Sequence, residues 1–129
     1  KENENVENPQ FFENLLSALG AEPLDYPSKT RCCGGSLIVT NRKAALDMVQ
    51  ILLQDAVNRK ADVIATTCPM CNVNLEVYQR QVNREFGTQF SIPVMYFTQL
   101  MGVALGIKPG KLGIGKELVS GEPVLAFAY

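Results

Sequence analysis

Two close pairs of cysteines constrain this chain more than any other feature. Cys32 and Cys33 are adjacent and are followed by two glycines, whereas Cys68 and Cys71 are separated by Pro-Met. They are the only cysteines in the sequence, and 34 residues lie between Cys33 and Cys68. An apolar helical pattern followed by a strand-like run fills that gap, so a reversal of the chain would bring both pairs to one end of the fold.

The size of the chain makes the cysteines unnecessary as structural staples. A chain of 129 residues can bury roughly two thirds of its unfolded surface without metal or disulfide help. The net charge is −1, and no basic stripe interleaved with aromatic residues is present. The composition therefore indicates an ordinary globular domain and argues against nucleic-acid binding.

Cysteine usage and the lack of histidine narrow the chemistry. The N-terminal residues contain no apolar signal region, and no apolar run approaches the length of a membrane span. We therefore expect a cytoplasmic, reducing environment, in which such cysteine pairs serve metal or redox chemistry. The absence of histidine excludes Ser-His-Asp and Cys-His catalysis, histidine-ligated zinc and Rieske-type clusters within this chain.

Apolar spacing predicts an alternation of helices and strands. This order is typical of an α/β domain with a small parallel sheet and flanking helices. The predicted elements are a helix that starts at Asn8-Pro9 and stops at Gly20, a helix capped by Thr40 or Asn41, a strand within 62–67, a helix from Cys68-Pro69 to Gly87, a strand within 91–96, and an apolar helical stretch at 100–105 capped by Thr98. The predicted buried face of the second helix is Ala45, Val49, Leu52, Leu53 and Ala56.

The end of the chain is less regular in its pattern. The tail from residue 108 is rich in glycine and is expected to be irregular or to form a short helix. Its apolar end, 124–129, would pack on the core or on a partner.

Four cysteines at these positions predict a shared iron–sulfur site, because thiolates are the ligands that hold iron in clusters. Cys68 is expected at the N-cap of a helix and Cys71 one turn later, where unpaired N–H groups and the helix dipole favour thiolates. Neighbouring side chains in extended backbone point to opposite faces, so Cys32 and Cys33 need the turn that the following glycines provide. A centre with several metal atoms fits this arrangement better than one zinc ion does.

Two further residue types near the cysteines allow a plain interpretation. Lys29 and Arg31 flank the first pair, either as solvated charges or as groups that offset the charge of a cluster. Met70 is predicted to be a packing residue rather than a sulfur ligand. A purely structural role for all four cysteines is the weakest alternative.

Three stretches of the sequence resemble a known family. They are Lys-Thr-Arg-Cys-Cys-Gly-Gly-Ser at 29–36, Ala-Asp-Val-Ile-Ala-Thr-Thr-Cys-Pro-Met-Cys-Asn-Val-Asn-Leu at 61–75 and Pro-Val-Met-Tyr-Phe-Thr-Gln-Leu at 93–100. Together they resemble the C-terminal cysteine-rich CCG domain of the heterodisulfide reductase B subunit and its bacterial relatives. The likeness extends from about residue 8 to about residue 107.

The resemblance implies a noncubane 4Fe-4S cluster held by five cysteines in the pattern C, CC, C-x-x-C. Cys32 and Cys33 match the adjacent pair, and Cys68 and Cys71 match the C-x-x-C motif. It also implies an oxidoreductase that cleaves or forms a disulfide, in a complex with a flavin-containing A subunit and a ferredoxin-like C subunit.

One family cysteine has no counterpart in this sequence, because its place would fall before the first residue. We therefore expect residues 1–129 to form a single CCG domain that is the C-terminal half of a longer two-domain subunit. The isolated chain is then expected to hold an incomplete cluster, zinc, a disulfide or no metal.

Two other functions remain open at this stage. Strand, Cys-Pro-x-Cys and helix is also the order of a thioredoxin-like thiol–disulfide oxidoreductase, with Cys68 as the nucleophile, Cys71 as the resolving thiol and Pro93 in place of the later proline. That alternative does not explain Cys32 and Cys33. The third function is a zinc-stapled interaction module.

Overall fold

Helices alternate with two short strands along the chain. The computed structural model describes residues 5–126. Within that range the regular elements are α1 (Phe11–Ala18), α2 (Arg42–Asn58), β1 (Ile64–Thr66), α3 (Pro69–Val77), α4 (Gln79–Phe86), β2 (Val94–Tyr96), α5 (Phe97–Ala104) and α6 (Glu122–Leu125). Short 3-10 turns occur at Pro27–Thr30, Gly35–Leu37 and Pro109–Leu112. The predicted α/β class is confirmed.

The two strands form a parallel sheet. Ile64 pairs with Val94 and Thr66 with Tyr96, and the chain crosses from one strand to the other through α3 and α4. Both predicted strands are present, but each is only three residues long. Pro93 has no N–H to donate, so the ladder contact before Val94 is limited to the Pro93 carbonyl, which accepts from Ile64 N at 2.9 Å. The C-terminal ends of the two strands therefore lie side by side.

Helix α2 supplies the largest apolar surface of the core. Its predicted face is confirmed, since Ala45, Val49, Leu52, Leu53 and Ala56 are all buried. Asn41 rather than Thr40 caps the helix, and its side-chain oxygen accepts from the N–H of Ala44 at 3.2 Å.

Two predicted helix starts are wrong. Helix α1 begins at Phe11, because the Asn8 side chain accepts from the Gln10 amide at 3.0 Å instead of capping a turn that starts at Pro9. Thr98 lies inside α5 and does not cap it. The N-cap residue is Tyr96, whose N–H donates to Gln99 Oε1 at 2.8 Å. The glycine stop after α1 is confirmed, since Gly20 has a φ of +89°.

The helix predicted to run without interruption to Gly87 is divided at Tyr78. Tyr78 has φ −91° and ψ −1°, and α4 begins at the next residue. Gln79 is thereby buried against the segment that leads into β2, where its amide donates to Ile92 O at 2.8 Å and accepts from Ile92 N at 3.0 Å. These two hydrogen bonds pair the backbone N–H and C=O of Ile92, as an adjacent strand would do in a sheet.

The tail packs on the second strand. Met95, Val103 and Ile114 form a small buried cluster, and Val124 and Leu125 of α6 lie against it. The expected packing of the apolar end is confirmed for these two residues, whereas 127–129 lie outside the described range. None of the helices in that range combines the length and the apolar character needed to cross a lipid bilayer.

The segment that leads to the first cysteine pair is held against α2 by polar contacts. Tyr26 Oη donates to Leu52 O at 2.9 Å, and Asp55 accepts from Ser28 N at 3.3 Å and from Arg59 Nε at 3.0 Å. Burial by itself would raise the pKa of Asp55, but the hydrogen bonds from Ser28 and Arg59 outweigh it, so the pKa lies below its ordinary value.

We expect Gln79→Leu to lower the free energy of unfolding by about 2–4 kcal/mol, because it leaves a buried N–H and a buried C=O of Ile92 unpaired. Urea unfolding followed by circular dichroism measures this. Gln54→Leu is the control, since Gln54 bonds only Asn58 on the outside of α2 and should change the stability by less than about 0.5 kcal/mol. Equal losses in the two variants would contradict the assignment.

We expect Asp55→Asn to destabilise the protein at pH 7 by about 1 kcal/mol. The folded-state pKa of Asp55 is lowered, so its contribution is complete above the unfolded-state pKa and is lost as the pH falls through the folded value. The difference between wild type and variant should therefore shrink below about pH 4. Asp47→Asn, which removes only the exposed pair with Lys43, should show a much smaller effect at every pH.

Candidate cysteine site

The second cysteine pair lies where β1 passes into α3. Cys68 occupies the N-cap position with extended backbone (φ −103°, ψ 121°), and Pro69 is the first residue of the helix. Cys71 follows one turn later. The prediction that a strand end delivers this motif to a helix N-terminus is confirmed, and this is the position at which parallel sheets present ligand sites.

Cys68 is exposed, and the pKa of its thiol lies below its ordinary value. It makes no formal capping hydrogen bond, but the N–H of Cys71 interacts with its sulfur and is the main reason that the pKa of Cys68 is lowered. Desolvation is the second-largest effect and opposes the shift, whereas the thiol of Cys71 and the N–H of Met70 also lower the pKa. The open first turn of α3 thus stabilises a thiolate at the surface.

Cys71 is half-buried, and its pKa is shifted in the opposite direction, upward. Burial raises its pKa to about 12, and the neighbouring thiol of Cys33 adds to the effect. Cys71 also contacts the thiol of Cys68. The sulfurs of Cys33, Cys71 and Cys68 therefore form a line of contacts from the core to the surface, with Cys71 in the middle.

Cys33 is held in the core by its backbone as well as by its side chain. It is 1% exposed and belongs to the main apolar cluster. The side-chain amide of Asn74, itself buried, donates to the Cys33 carbonyl at 2.7 Å. This bond fixes the first cysteine pair to the helix that carries the second pair.

Gly34 forms the turn that the sequence predicted after the adjacent cysteines. Its φ is +73°, a conformation that side chains other than glycine rarely adopt. A Cβ at this position would lie 3.2 Å from Ala45 Cα and 2.9 Å from Met48 Sδ on α2. Glycine is therefore required both for the backbone conformation and for the close approach to α2.

Cys32 is exposed and takes a separate position. Its sulfur accepts weakly from Gly34 N at 3.4 Å and lines a small pocket with Arg31, Met48 and Ile51. The cysteines that shift the pKa values of Cys68 and Cys71 are these two residues themselves and Cys33, and not Cys32. The structure thus brings three of the four predicted residues together and places the fourth beside them.

The chemistry of the four cysteines suits an iron–sulfur centre, because thiolates are the ligands that hold iron in clusters. All four thiols are free. In the range 5–126 no group of three or more His, Cys, Asp or Glu side chains is already arranged to hold a metal ion.

Some residues that shape the site were not predicted. The principal one is Asn74, which is buried in α3 together with Leu75. The sequence feature that could have indicated it is a polar residue one helical turn after Cys71. Tyr96 Oη donates to Thr67 O at 2.7 Å, which ties the end of β2 to the residue after β1. Thr66 Oγ1 donates to Asn72 Oδ1 at 2.8 Å, which ties the end of β1 to the first turn of α3.

The charged residues before the first pair differ in their roles. Lys29 pairs with Glu13 of α1 and donates to Pro9 O at 2.7 Å, so it holds α1 to the segment that leads to the cysteines. Arg31 is exposed beside Cys32. Met70 is more than half exposed, and its Cε lies 3.3 Å from the position that a Cβ on Gly35 would take.

The fold and the site define a cysteine-rich α/β domain with thiols gathered at a strand end and a helix N-terminus. A family model described as CCG, cysteine-rich domain, matches residues 1–76, which include all four cysteines. The chain belongs to this CCG cysteine-rich domain family.

Named relatives cover almost the whole chain. It is 39% identical over 126 residues to the B subunit of the ferredoxin/F(420)H(2)-dependent CoB-CoM heterodisulfide reductase of Methanosarcina acetivorans, and 38% identical over 126 residues to the B subunit of the ferredoxin:CoB-CoM heterodisulfide reductase of Methanosarcina mazei. Each alignment covers 96% of this chain and 42% of the relative.

A third relative comes from a different enzyme. The 8-methylmenaquinol:fumarate reductase membrane anchor subunit of Wolinella succinogenes is 29% identical over 116 residues, which is 90% of this chain and 41% of the relative. The chain therefore spans about two fifths of the length of these relatives. The resemblance to the heterodisulfide reductase B subunit is confirmed.

We expect Gly34→Ala to destabilise the protein more than Gly87→Ala does. Both glycines have positive φ, but a Cβ at Gly87 meets nothing within 4 Å. Gly87→Ala therefore carries only the backbone strain, about 1 kcal/mol, whereas Gly34→Ala adds a steric cost against α2 of about 1–3 kcal/mol. Urea unfolding of both variants measures the difference, and equal losses would show that α2 yields to the added methyl group.

Proposed function

We propose that this chain is an iron–sulfur electron-transfer domain of an oxidoreductase, similar to part of the heterodisulfide reductase B subunit. In this proposal Cys32, Cys33, Cys68 and Cys71 hold the cluster, and the enzyme cleaves or forms a disulfide. The observation that carries the proposal is the contact of the Cys71 thiol with both Cys33 and Cys68, in a chain whose residues 1–76 match the CCG family.

The proposed cofactor is a noncubane 4Fe-4S cluster with a fifth cysteine ligand from outside this sequence. Such a cluster, when bound, supplies single electrons to the sulfur–sulfur bond of a disulfide. The chain's own residues position it: the first turn of α3 favours the thiolate of Cys68, and the core around Cys33 keeps water from the inner sulfurs. Cys71 would bind as a thiolate, so its thiol would have to lose its proton when the site is filled.

The proposed assembly extends beyond this chain. Because the chain spans about two fifths of its relatives, we propose that residues 1–129 are one CCG domain, the C-terminal half of a longer two-domain subunit. The names of those relatives describe them as subunits, which supports a multi-subunit complex. A flavin-containing A subunit and a ferredoxin-like C subunit are the proposed partners, and the cytoplasm is the proposed compartment.

A metal-free thiol–disulfide oxidoreductase is the second candidate, and one observation favours it. Cys68 is exposed with a lowered pKa, and Cys71 is half-buried with a raised pKa. In that mechanism the Cys68 thiolate attacks a substrate disulfide and releases one thiol, and Cys71 then attacks the mixed disulfide to release the other, leaving Cys68 and Cys71 oxidised to a disulfide. A zinc-stapled interaction module receives less support from the spread of the sulfurs.

Iron and sulfide analysis separates these functions. We expect the full-length polypeptide, reconstituted anaerobically, to bind roughly four irons and four sulfides and to absorb broadly in the visible range. Replacement of Cys32, Cys33, Cys68 or Cys71 by Ser should in each case lower the iron content and the absorbance. Met70→Leu is the matched control inside the motif and should retain both.

Two outcomes would contradict the cluster proposal. One is a colourless protein with a single zinc ion per chain. The other is a metal-free protein in which Cys68→Ser abolishes exchange with oxidised glutathione while Cys32→Ser leaves that exchange intact.

A further inference from the structure

A second surface of the molecule lies at the opposite end of α3 from Cys68. It is an open groove with a volume of about 610 Å³. Its lining residues are Arg42, Val77, Tyr78, Arg80, Gln81, Arg84, Glu85 and Leu118. They come from the start of α2, the end of α3, the outer side of α4 and the tail, so the fold gathers them from three distant parts of the sequence.

Arg42 is held in a fixed orientation at one side of this groove. Its Nη2 donates to Gln81 Oε1, and its guanidinium lies 5.6 Å from the centroid of the Tyr78 ring. Arg42 is also the first residue of α2, where the helix dipole disfavours a positive charge, and the first turn of α2 contains no acidic residue. The local field at this position therefore favours an anion.

Two further arginines increase the positive charge. Arg80 and Arg84 are one helical turn apart on α4, both exposed, and neither forms an ion pair within the described residues. Among the described residues, Glu85 is the only carboxylate that lines the groove. Glu76 lies nearby and accepts from the N–H of Leu118. Three arginines leave the groove with a net positive charge even when both carboxylates are counted.

The groove also exposes apolar side chains. Val77 is 41% exposed and Leu118 is 65% exposed. Met70, Val73 and Val77 occur at i, i+3 and i+7 on α3 and are all exposed, so an apolar stripe continues from the groove toward Cys68. A small anion would contact the arginines but would leave these side chains in water.

We propose that this groove is a docking surface for an acidic segment of a partner protein that carries apolar residues between its carboxylates. Its carboxylates would pair with Arg42, Arg80 and Arg84, and its apolar residues would cover Val77 and Leu118. Arginine and tyrosine beside exposed apolar side chains are the composition that protein interfaces favour. The proposal does not depend on which metal centre the cysteines hold.

The test is a titration of the 15N-labelled chain with a synthetic peptide in which pairs of Glu alternate with single Leu residues. We expect shifts of backbone amides confined to 77–85, the start of α2 and the neighbourhood of Leu118, and binding that weakens as salt is added. Arg80→Glu combined with Arg84→Glu should weaken binding about tenfold or more. Leu118→Ala should weaken it severalfold.

The controls separate this surface from a general attraction of charges. Lys108→Glu combined with Lys111→Glu makes the same change in net charge outside the groove and should alter the affinity by less than about threefold. A peptide with Ser in place of Leu, and inorganic pyrophosphate, should both bind more weakly than the Leu peptide.

Three results would overturn the proposal. They are no binding of the Leu peptide, equal losses in the two double variants, and binding of the Ser peptide or of pyrophosphate as tight as that of the Leu peptide. The last result would assign the groove to small anions instead. Circular dichroism of each variant confirms that the substitutions leave the fold intact.

Discussion

One buried hydrogen bond, from the Asn74 amide to the Cys33 carbonyl, joins the two cysteine-bearing segments of this protein. This carbonyl belongs to a buried cysteine that precedes a glycine turn, where no helix or strand hydrogen bond pairs it. The same bond sets the distance between the turn and α3. Because Cys71 is one turn before Asn74 on that helix, fixing Asn74 also brings the Cys71 thiol against Cys33. The geometry of the site is therefore determined by a residue that is not itself a cysteine.

The four thiols differ because the fold places them in different surroundings. Cys68 is at an open helix start, where N–H groups favour a negative charge, whereas Cys71 one turn later faces the apolar core. Cys33 is buried, and its neighbour Cys32 is exposed. A gradient of this kind, from enclosed to exposed sulfur, serves either candidate function. A cluster needs inner ligands that are protected from water. A dithiol needs one sulfur that attacks the substrate and a second that resolves the mixed disulfide.

The sequence predicted where the cysteine motifs lie in the fold better than it predicted the limits of the elements. The Cys-Pro-x-Cys motif, the glycine turn and the five apolar residues of α2 each carry a local signal, namely proline at the first helical position, paired glycines and a spacing of three and four residues. The break at Tyr78 carries no such signal, since it depends on Gln79 meeting the backbone of Ile92 thirteen residues later. The second strand is short for a local reason, because Pro93 has no N–H to donate and only its carbonyl bonds to the first strand.

Contacts between distant parts of the chain explain why the arginine groove was not predicted. Arg42 and Arg84 belong to different helices, and in the sequence each reads as an ordinary charge on a polar face. Only the packing of α2 beside α4 places them around Tyr78. Helix α3 then connects the two surfaces: nine residues at about 1.5 Å per residue separate the thiolate at its start from the groove at its end by roughly 14 Å. The exposed stripe of Met70, Val73 and Val77 spans that interval, so exposed apolar surface connects the groove with the helix start that carries Cys68.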